Sequence, residues 1–283
     1  MIGMHMLDAV DKGATLIVAD PRQTQIAKFA RIHLRQKSGT DVALLNGIMN
    51  VIINEGLVDI NFVKRRTENF DEFEKIVMGY PPEVAEKITG VPANEIRRVA
   101  RIYATEKRSM LFYSMGITQH VTGVDNVRSC ANLVMLTAHI GQPMTGLNPL
   151  RGQNNVQGAC DMGALPEVYS GYQRVSDAKA RRKFENAWGR KLPAKPGLTL
   201  TEMFDSVLDG KIKAMYIMGE NPVISDPGAV HVKEALKKLD FLVVQDIFMS
   251  DTAEFADVVL PAVSFAEKDG TFTNTERRVQ KLR

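Results

Sequence analysis

Short apolar runs that stop abruptly at polar residues limit the folds open to this chain. Residues 14–19 (ATLIVA), 110–114 (MLFYS), 213–218 (KAMYIM) and 241–244 (FLVV) are four to six residues long, and 258–260 is shorter still. Their length and apolar character read as buried parallel strands. Segments of helical periodicity separate them. Leu44, Leu45, Ile48, Val51 and Ile52 share a helical face, with Thr40 or Asp41 able to cap its start and Gly56 to close its end. Ile96, Val99, Ala100 and Tyr103 line a second helix over 92–106. Val127, Ala131, Val134 and Ala138 line a third, stopped at Gly141. Residues 26–32, 201–208 and 230–239 also read as helical. Strands alternating with helices predict an α/β protein with two Rossmann-like three-layer domains and mostly parallel sheets. At ~150 residues per domain, 283 residues suggest two domains. The expected division is 1–153 and 154–264, with 265–283 the stub of a further domain. Both ends read as cut rather than finished.

Composition removes several function classes. Lys and Arg total 36 against 33 Asp and Glu, a net charge of +3. A dedicated nucleic-acid binder carries a larger basic excess, so no nucleic-acid partner is expected. The longest nearly apolar stretch, 256–266, falls short of the ~18 residues that span a bilayer. Two cysteines, Cys130 and Cys160, cannot build a disulfide framework or a four-cysteine metal site, and the five histidines show no HExxH spacing. No metal ligand is assigned to this chain, and a reducing cytoplasm is the simplest compartment.

The least ordinary segment is 141–163, GQPMTGLNPLRGQNNVQGACDMG. It holds five glycines, three asparagines, three glutamines and only two charges, Arg151 and Asp161. It reads as a long loop, and such loops are commonly functional or disordered. Its composition is not that of disorder, which favours charge and serine. Glycines allow close backbone approach to a ligand, and amides both donate and accept. A lone arginine in a charge-poor loop suits a small carboxylate or phosphate. A glycine-rich domain linker is the other reading.

In open α/β sheets ligands sit outside the carboxyl ends of the strands. That rule singles out Asp20, Pro21 and Arg22, then residues 115–119, residues 219–222, and Gln245 with Asp246. Each aspartate taken alone can be a turn residue capping the next helix. Four polar strand ends together point to a nucleotide-like ligand. Neither GxGxxG nor GxxxxGK[ST] is present. Cys160 reads better as a small buried residue than as a reactive thiol. His120, His139, Tyr169 and Tyr172 have no acid, base or nucleophile paired with them in the sequence.

Four stretches carry a family resemblance. LRGQNNVQGACDMGALPEVYSGYQ (150–173), VVQDIFMSDTAEFADVVLPAVSFAEKDGTFTNTERRVQ (243–280), YSMGITQH (113–120) and LIVADPR (16–22) resemble the molybdopterin-dependent formate dehydrogenases. These belong to the wider molybdenum/tungsten oxidoreductases that carry bis(molybdopterin guanine dinucleotide). The resemblance runs over essentially the whole chain.

It implies that Asp20, Arg22 and Asp41 lie near one guanine nucleotide, and Gly219, Glu220, Asn221, Gln245 and Asp246 near the other. Met115 and Gln119 match pterin-proximal positions. Arg151 matches the arginine that orients formate, with Gln153 beside it as a second catalytic residue and Gly152 and Asn155 alongside the cofactor. The resemblance also implies Mo or W, a [4Fe-4S] cluster that this chain does not ligate, formate as substrate, and partners among the remaining portions of the large subunit and electron-transfer subunits. The cysteine or selenocysteine that ligates the metal in that family has no match here. A non-catalytic cofactor-binding or assembly module, and a related molybdopterin oxidoreductase with another substrate, remain as alternatives.

Overall fold

A computed structural model describes residues 2–282. The chain divides into two compact units, 1–152 and 153–283. The first contains α1 (Ile2–Asp11), β1 (Ile17–Ala19), β2 (Ile32–Leu34), α2 (Asp41–Asn54), α3 (Ile60–Arg66), α4 (Phe70–Met78), α5 (Pro82–Thr89) and α6 (Ala93–Thr105). It ends with β3 (Met110–Tyr113), the single turn α7 (Met115–Thr118), α8 (Gly123–Leu136) and β4 (Gly146–Pro149). The second unit contains α9 (Val156–Asp161), β5 (Val168–Tyr169), β6 (Gln173–Arg174), α10 (Ala178–Trp188), α11 (Leu200–Leu208) and β7 (Ala214–Met218). After these come α12 (Pro222–Ser225), α13 (Ala229–Lys238), β8 (Phe241–Asp246), β9 (Val258–Pro261), β10 (Gly270–Thr273) and β11 (Val279–Leu282).

The expected α/β architecture with mostly parallel pairing is the one adopted. Among the described residues β1 pairs with β2, β3 with β4, and β7 with β8 and β9, all in parallel. The hairpins β5–β6 and β10–β11 are antiparallel.

α2 is the centre of the first unit. Its residues are buried on nearly every face, from Leu44 through Met49 and Ile52, the last two fully shielded from water. A helix that is apolar all round belongs inside a core, and α4, α5, α6 and α8 surround this one. Its polar groups are satisfied internally. The Asn50 side-chain amide donates to the Val77 carbonyl at 3.1 Å, and Asn54 donates to Asn50 at 2.9 Å. Thr40 occupies the N-cap position without capping, because its hydroxyl donates back to the Lys37 carbonyl at 2.6 Å. The second core gathers Phe204 and Val207 of α11, Val232, Ala235 and Leu236 of α13, and Ile217, Leu242 and Val244 of the parallel sheet.

Four expectations are corrected. Residues 26–32 are not one helix. A single 3-10 turn covers Ile26–Phe29, and Ile32–Leu34 forms β2, because parallel pairing with β1 buries Ile32 and Leu34. The 141–163 segment is not without regular structure. Its residues Gly146–Pro149 complete a parallel pair with β3, and Val156–Asp161 are helical. Residues 110–114 do not form a fully buried strand, since only Leu111 of β3 packs against the core while Met110 and Phe112 are exposed. His139 lies beyond α8 rather than on it, after Ala138 turns the chain at φ +55°.

Gly47 permits the close approach of α2 and α5. A Cβ there would stand 2.6 Å from the Ala85 Cβ. Gly47→Ala gains about 1 kcal/mol of helix propensity, but the obstacle is a methyl fixed to a buried backbone, and overpacking costs about 1–3 kcal/mol. The substitution is expected to lower the urea midpoint of unfolding, and Gly47→Ala combined with Ala85→Gly to recover part of the loss. A higher midpoint for Gly47→Ala alone would show that α5 yields freely.

Candidate active-site and cofactor-binding residues

In the first unit the polar residues gather where the parallel strands end. Past β1, the Asp20 Oδ1 accepts the Arg22 backbone N–H at 2.8 Å, and the Arg22 Nε lies 3.9 Å from the same oxygen. The Asp20 carbonyl is 2.9 Å from the His33 Nε2. Past β2, the Gln36 Nε2 donates to the Asp41 Oδ1 at 3.1 Å. Both side chains are withdrawn from water, at 4% and 6% exposure.

Past β3 and β4, the Ser114 hydroxyl donates to the Leu150 carbonyl at 2.8 Å, and the Leu150 N–H donates to the Tyr113 carbonyl at 2.8 Å. These two bonds carry the β3–β4 ladder one residue further and bring Met115, Arg151 and Gly152 to one sheet end. A Cβ on Gly152 would stand 3.3 Å from the Met115 Cε. Burial raises the Tyr113 phenol above its ordinary value, while the Arg151 charge pulls it the other way. Gln119 closes α7, its N–H donating to the Met115 carbonyl at 2.9 Å.

The second unit repeats this arrangement. The register that pairs Met218 with Gln245 sets residues 219–221 beside residues 245 and 246. The Gly219 N–H donates to the Gln245 carbonyl at 2.8 Å, and the Tyr216 hydroxyl donates to the Gln245 Oε1 at 2.6 Å. Gly219 turns the chain at φ +66°, where open space surrounds its Cα, so the turn needs glycine for conformation and not for room.

Asn221 is a brace. Its Oδ1 accepts from the Thr252 N–H at 3.1 Å and the Thr252 hydroxyl at 2.7 Å, and its Nδ2 donates to Asp251 at 3.1 Å. The Asp246 Oδ1 accepts from the Ile247 N–H at 2.6 Å. Asn155, at φ +59°, occupies the N-cap position of α9 without capping it, because its Oδ1 accepts the Thr273 N–H at 3.0 Å and ties α9 to β10. Gln153 lies at the start of this unit, where its carbonyl accepts the Val156 N–H at 3.4 Å.

Sequence reasoning missed three side chains here. Four buried side-chain polar atoms lack a hydrogen-bond partner among the described residues: Thr24 Oγ1, Gln36 Oε1, Tyr103 Oη and Asp226 Oδ2. Thr24 and Gln36 follow the carboxyl ends of β1 and β2, and Asp226 closes α12 beyond β7. A buried acceptor left without a donor costs about 1–3 kcal/mol, so these positions suit a ligand rich in N–H and O–H groups. Their signal in the sequence is their place shortly after a strand end.

The cysteines stand apart from this chemistry. Both are buried and unpaired, and burial pushes the Cys130 thiol up to about 12, with Asp41 adding to the shift. Among the described residues no group of three His, Cys, Asp or Glu side chains is assembled for a metal ion. His139 is packed, its ring nitrogens 2.9 Å from the Thr137 hydroxyl and 2.9 Å from the Glu106 carbonyl.

The molybdopterin oxidoreductase family profile matches residues 1–283. The chain belongs to that family. It is 55% identical over 284 residues to the F420-dependent formate dehydrogenase subunit alpha of Methanocaldococcus jannaschii, covering all of this chain and 42% of that protein. It is 48% identical over 283 residues to formate dehydrogenase H of Escherichia coli, covering all of this chain and 40% of that one. The chain thus spans well under half the length of the curated relatives it matches. Among solved structures, acetylene hydratase from Pelobacter acetylenicus superposes over 94% of this chain and 39% of its own, with a TM-score of 0.72 at 24% identity. That likeness establishes the shared fold.

Lost hydration around the Glu220 carboxyl, with the Asp226 charge second, raises its pKa above the ordinary carboxylate value. A carboxyl whose folded pKa is raised opposes folding once it ionises, so stability declines as pH rises through that folded value. Glu220→Gln is therefore expected to raise the Tm by about 1–2 °C at pH 7, with the gain disappearing below pH ~4. A Tm difference that does not change with pH would contradict this.

Proposed function

We propose that this chain is the part of a formate dehydrogenase alpha subunit that binds bis(molybdopterin guanine dinucleotide) and orients formate for oxidation to carbon dioxide. The observation that carries the reading is the distribution of unpartnered buried polar atoms at strand ends. Gln36 beside Asp41 in one unit, and Asp226 near Glu220 in the other, supply acceptors suited to the N1–H and amino group of a guanine. In the first unit Asp20, Arg22 and Thr24 line the neighbouring strand end, suited to ribose and phosphate. In the second, the Gln245 side-chain oxygen is held by Tyr216, and Gly219, Asn221 and Asp246 shape the turn around it. Met115, Gln119 and Gly152 at the end of the β3–β4 pair, and Asn155 at the start of α9, are the residues assigned to the pterin.

Bound there, the Mo or W cofactor supplies two-electron redox chemistry. The chain's own part is positioning. The Arg151 guanidinium offers parallel N–H donors to both oxygens of a carboxylate, and Gln153 adds an amide donor. Cys130 is buried within the first unit on α8, and has no assigned part in ligating the metal or the [4Fe-4S] cluster of such enzymes. Both sets of ligands are assigned to portions of the subunit outside this chain, and the electrons to further subunits. Among the described residues no helix is long and apolar enough to cross a membrane. With two unpaired cysteines, a cytoplasmic setting fits this reading.

The test uses the whole enzyme. Arg151→Lys is expected to raise the KM for formate about ten-fold or more, since losing one arm of a bidentate charge-assisted pair costs roughly 1.5–3 kcal/mol. Gln36→Leu with Asp226→Asn is expected to lower the pterin content of purified protein, read by fluorescence after release. Normal pterin content with an unchanged KM in the respective variants would sink the assignment. Pterin retained without turnover in the unmodified protein would favour the assembly-module alternative.

A further inference from the structure

Charge is unevenly spread along this chain. Residues 174–195 hold eight Lys and Arg (Arg174, Lys179, Arg181, Arg182, Lys183, Arg190, Lys191, Lys195) against Asp177 and Glu185, a net of +6. The rest of the chain has 28 Lys and Arg against 31 Asp and Glu, a net of −3. One helix and its flanks therefore reverse the sign of the whole.

The fold turns this segment into a surface. Helix α10 buries Ala180 and Phe184 and presents Lys179, Arg182, Lys183 and Asn186 outward. Positions 179, 182, 183 and 186 share one side of a helix. The two local carboxylates are committed to backbone. Asp177 caps α10, accepting from the Lys179 N–H at 2.7 Å, and Glu185 accepts the Leu192 N–H at 3.0 Å. Among the described residues none of the eight cations is in an ion pair. Beside them, Trp188 is 53% exposed, yet its ring is braced 5.0 Å from Phe184 and 6.1 Å from Tyr169.

We infer that the outer face of α10, with Arg190 and Lys191, is the docking surface for an acidic face of a partner protein subunit. Charge complementarity selects an acidic partner. The braced, exposed tryptophan selects a protein, because such an aromatic is the usual anchor of a protein interface and is ordered before binding. A nucleic acid would meet the negative remainder of the chain. A lipid surface would find one tryptophan and no apolar stripe to take up. The inference rests on the reading of this chain as part of a multi-subunit enzyme.

The experiment measures binding of a fluorescein-labelled 20-residue polyglutamate to the full chain by anisotropy, at 20 and 150 mM salt. Lys179→Glu with Arg182→Glu and Arg190→Glu is compared with the charge-conserving Lys179→Arg, Arg182→Lys, Arg190→Lys set. The neutral glutamine set covers any misfolding of the reversal variant. The inference expects at least ten-fold weaker binding for the reversed and glutamine sets, wild-type binding for the conserved set, and weakening with salt. Equal binding by the wild-type and glutamine sets overturns it. So does tighter, equally residue-dependent binding of a DNA duplex or of phosphatidylserine vesicles. Formate-dependent dye reduction by the whole enzyme, run on the same variants, is expected to stay unchanged, so its failure would be charged to the functional reading and not to this surface.

Discussion

Parallel pairing of short strands is the constraint on which this structure depends. Parallel ladders point every strand the same way, so all carboxyl ends emerge on one edge and the residues that follow become neighbours. The Met218–Gln245 register puts Gly219 and Glu220 beside Gln245 and Asp246. The Tyr113–Pro149 register puts Met115 beside Gly152, although 37 residues separate them in the chain. Parallel strands also need a crossover between them, and those crossovers contribute to the cores: Leu133 and Leu136 from α8 between β3 and β4, and Val232, Ala235 and Leu236 from α13 between β7 and β8.

Rigidity behind the strand ends comes from packing rather than from the polar residues themselves. α2 is submerged in its unit, and its internal amides find partners in α4 and in one another. In the second unit α11 and α13 cover one face of the sheet. The braces then act locally. Asn221 holds the turn after β7 to Thr252, and Asn155 holds α9 to β10. Polar groups satisfied in this way are fixed in place, while Gln36, Thr24 and Asp226 keep unpartnered atoms where the strand ends open.

Much of this was legible in the amino acids. The runs at 213–218 and 241–244 became β7 and β8, and the 3.6-residue spacing of Leu44, Ile48 and Ile52 became α2. Where the reading went astray, pairing outweighed local pattern. Residues 146–149, with a glycine, an asparagine and a proline, have little strand character of their own, yet they form β4 because β3 offers a parallel edge. Ile32 looks like the end of a helix and instead begins β2 for the same reason. The basic helix α10 drew no notice because overall charge, near zero, averages a +6 segment against a −3 remainder.

Periodicity and run length were enough to establish an α/β chain and its mostly parallel pairing. Family membership, too, was written in contiguous motifs. Which side chains at the strand ends are consumed and which stay available was not, because that depends on contacts between residues far apart in sequence. Asn221 meets Thr252, Asn155 meets Thr273, and Gln36 is left with an oxygen unpaired only once burial has taken water away from it. Hydrogen-bond satisfaction is a property of the packed chain, and no stretch of sequence states it alone.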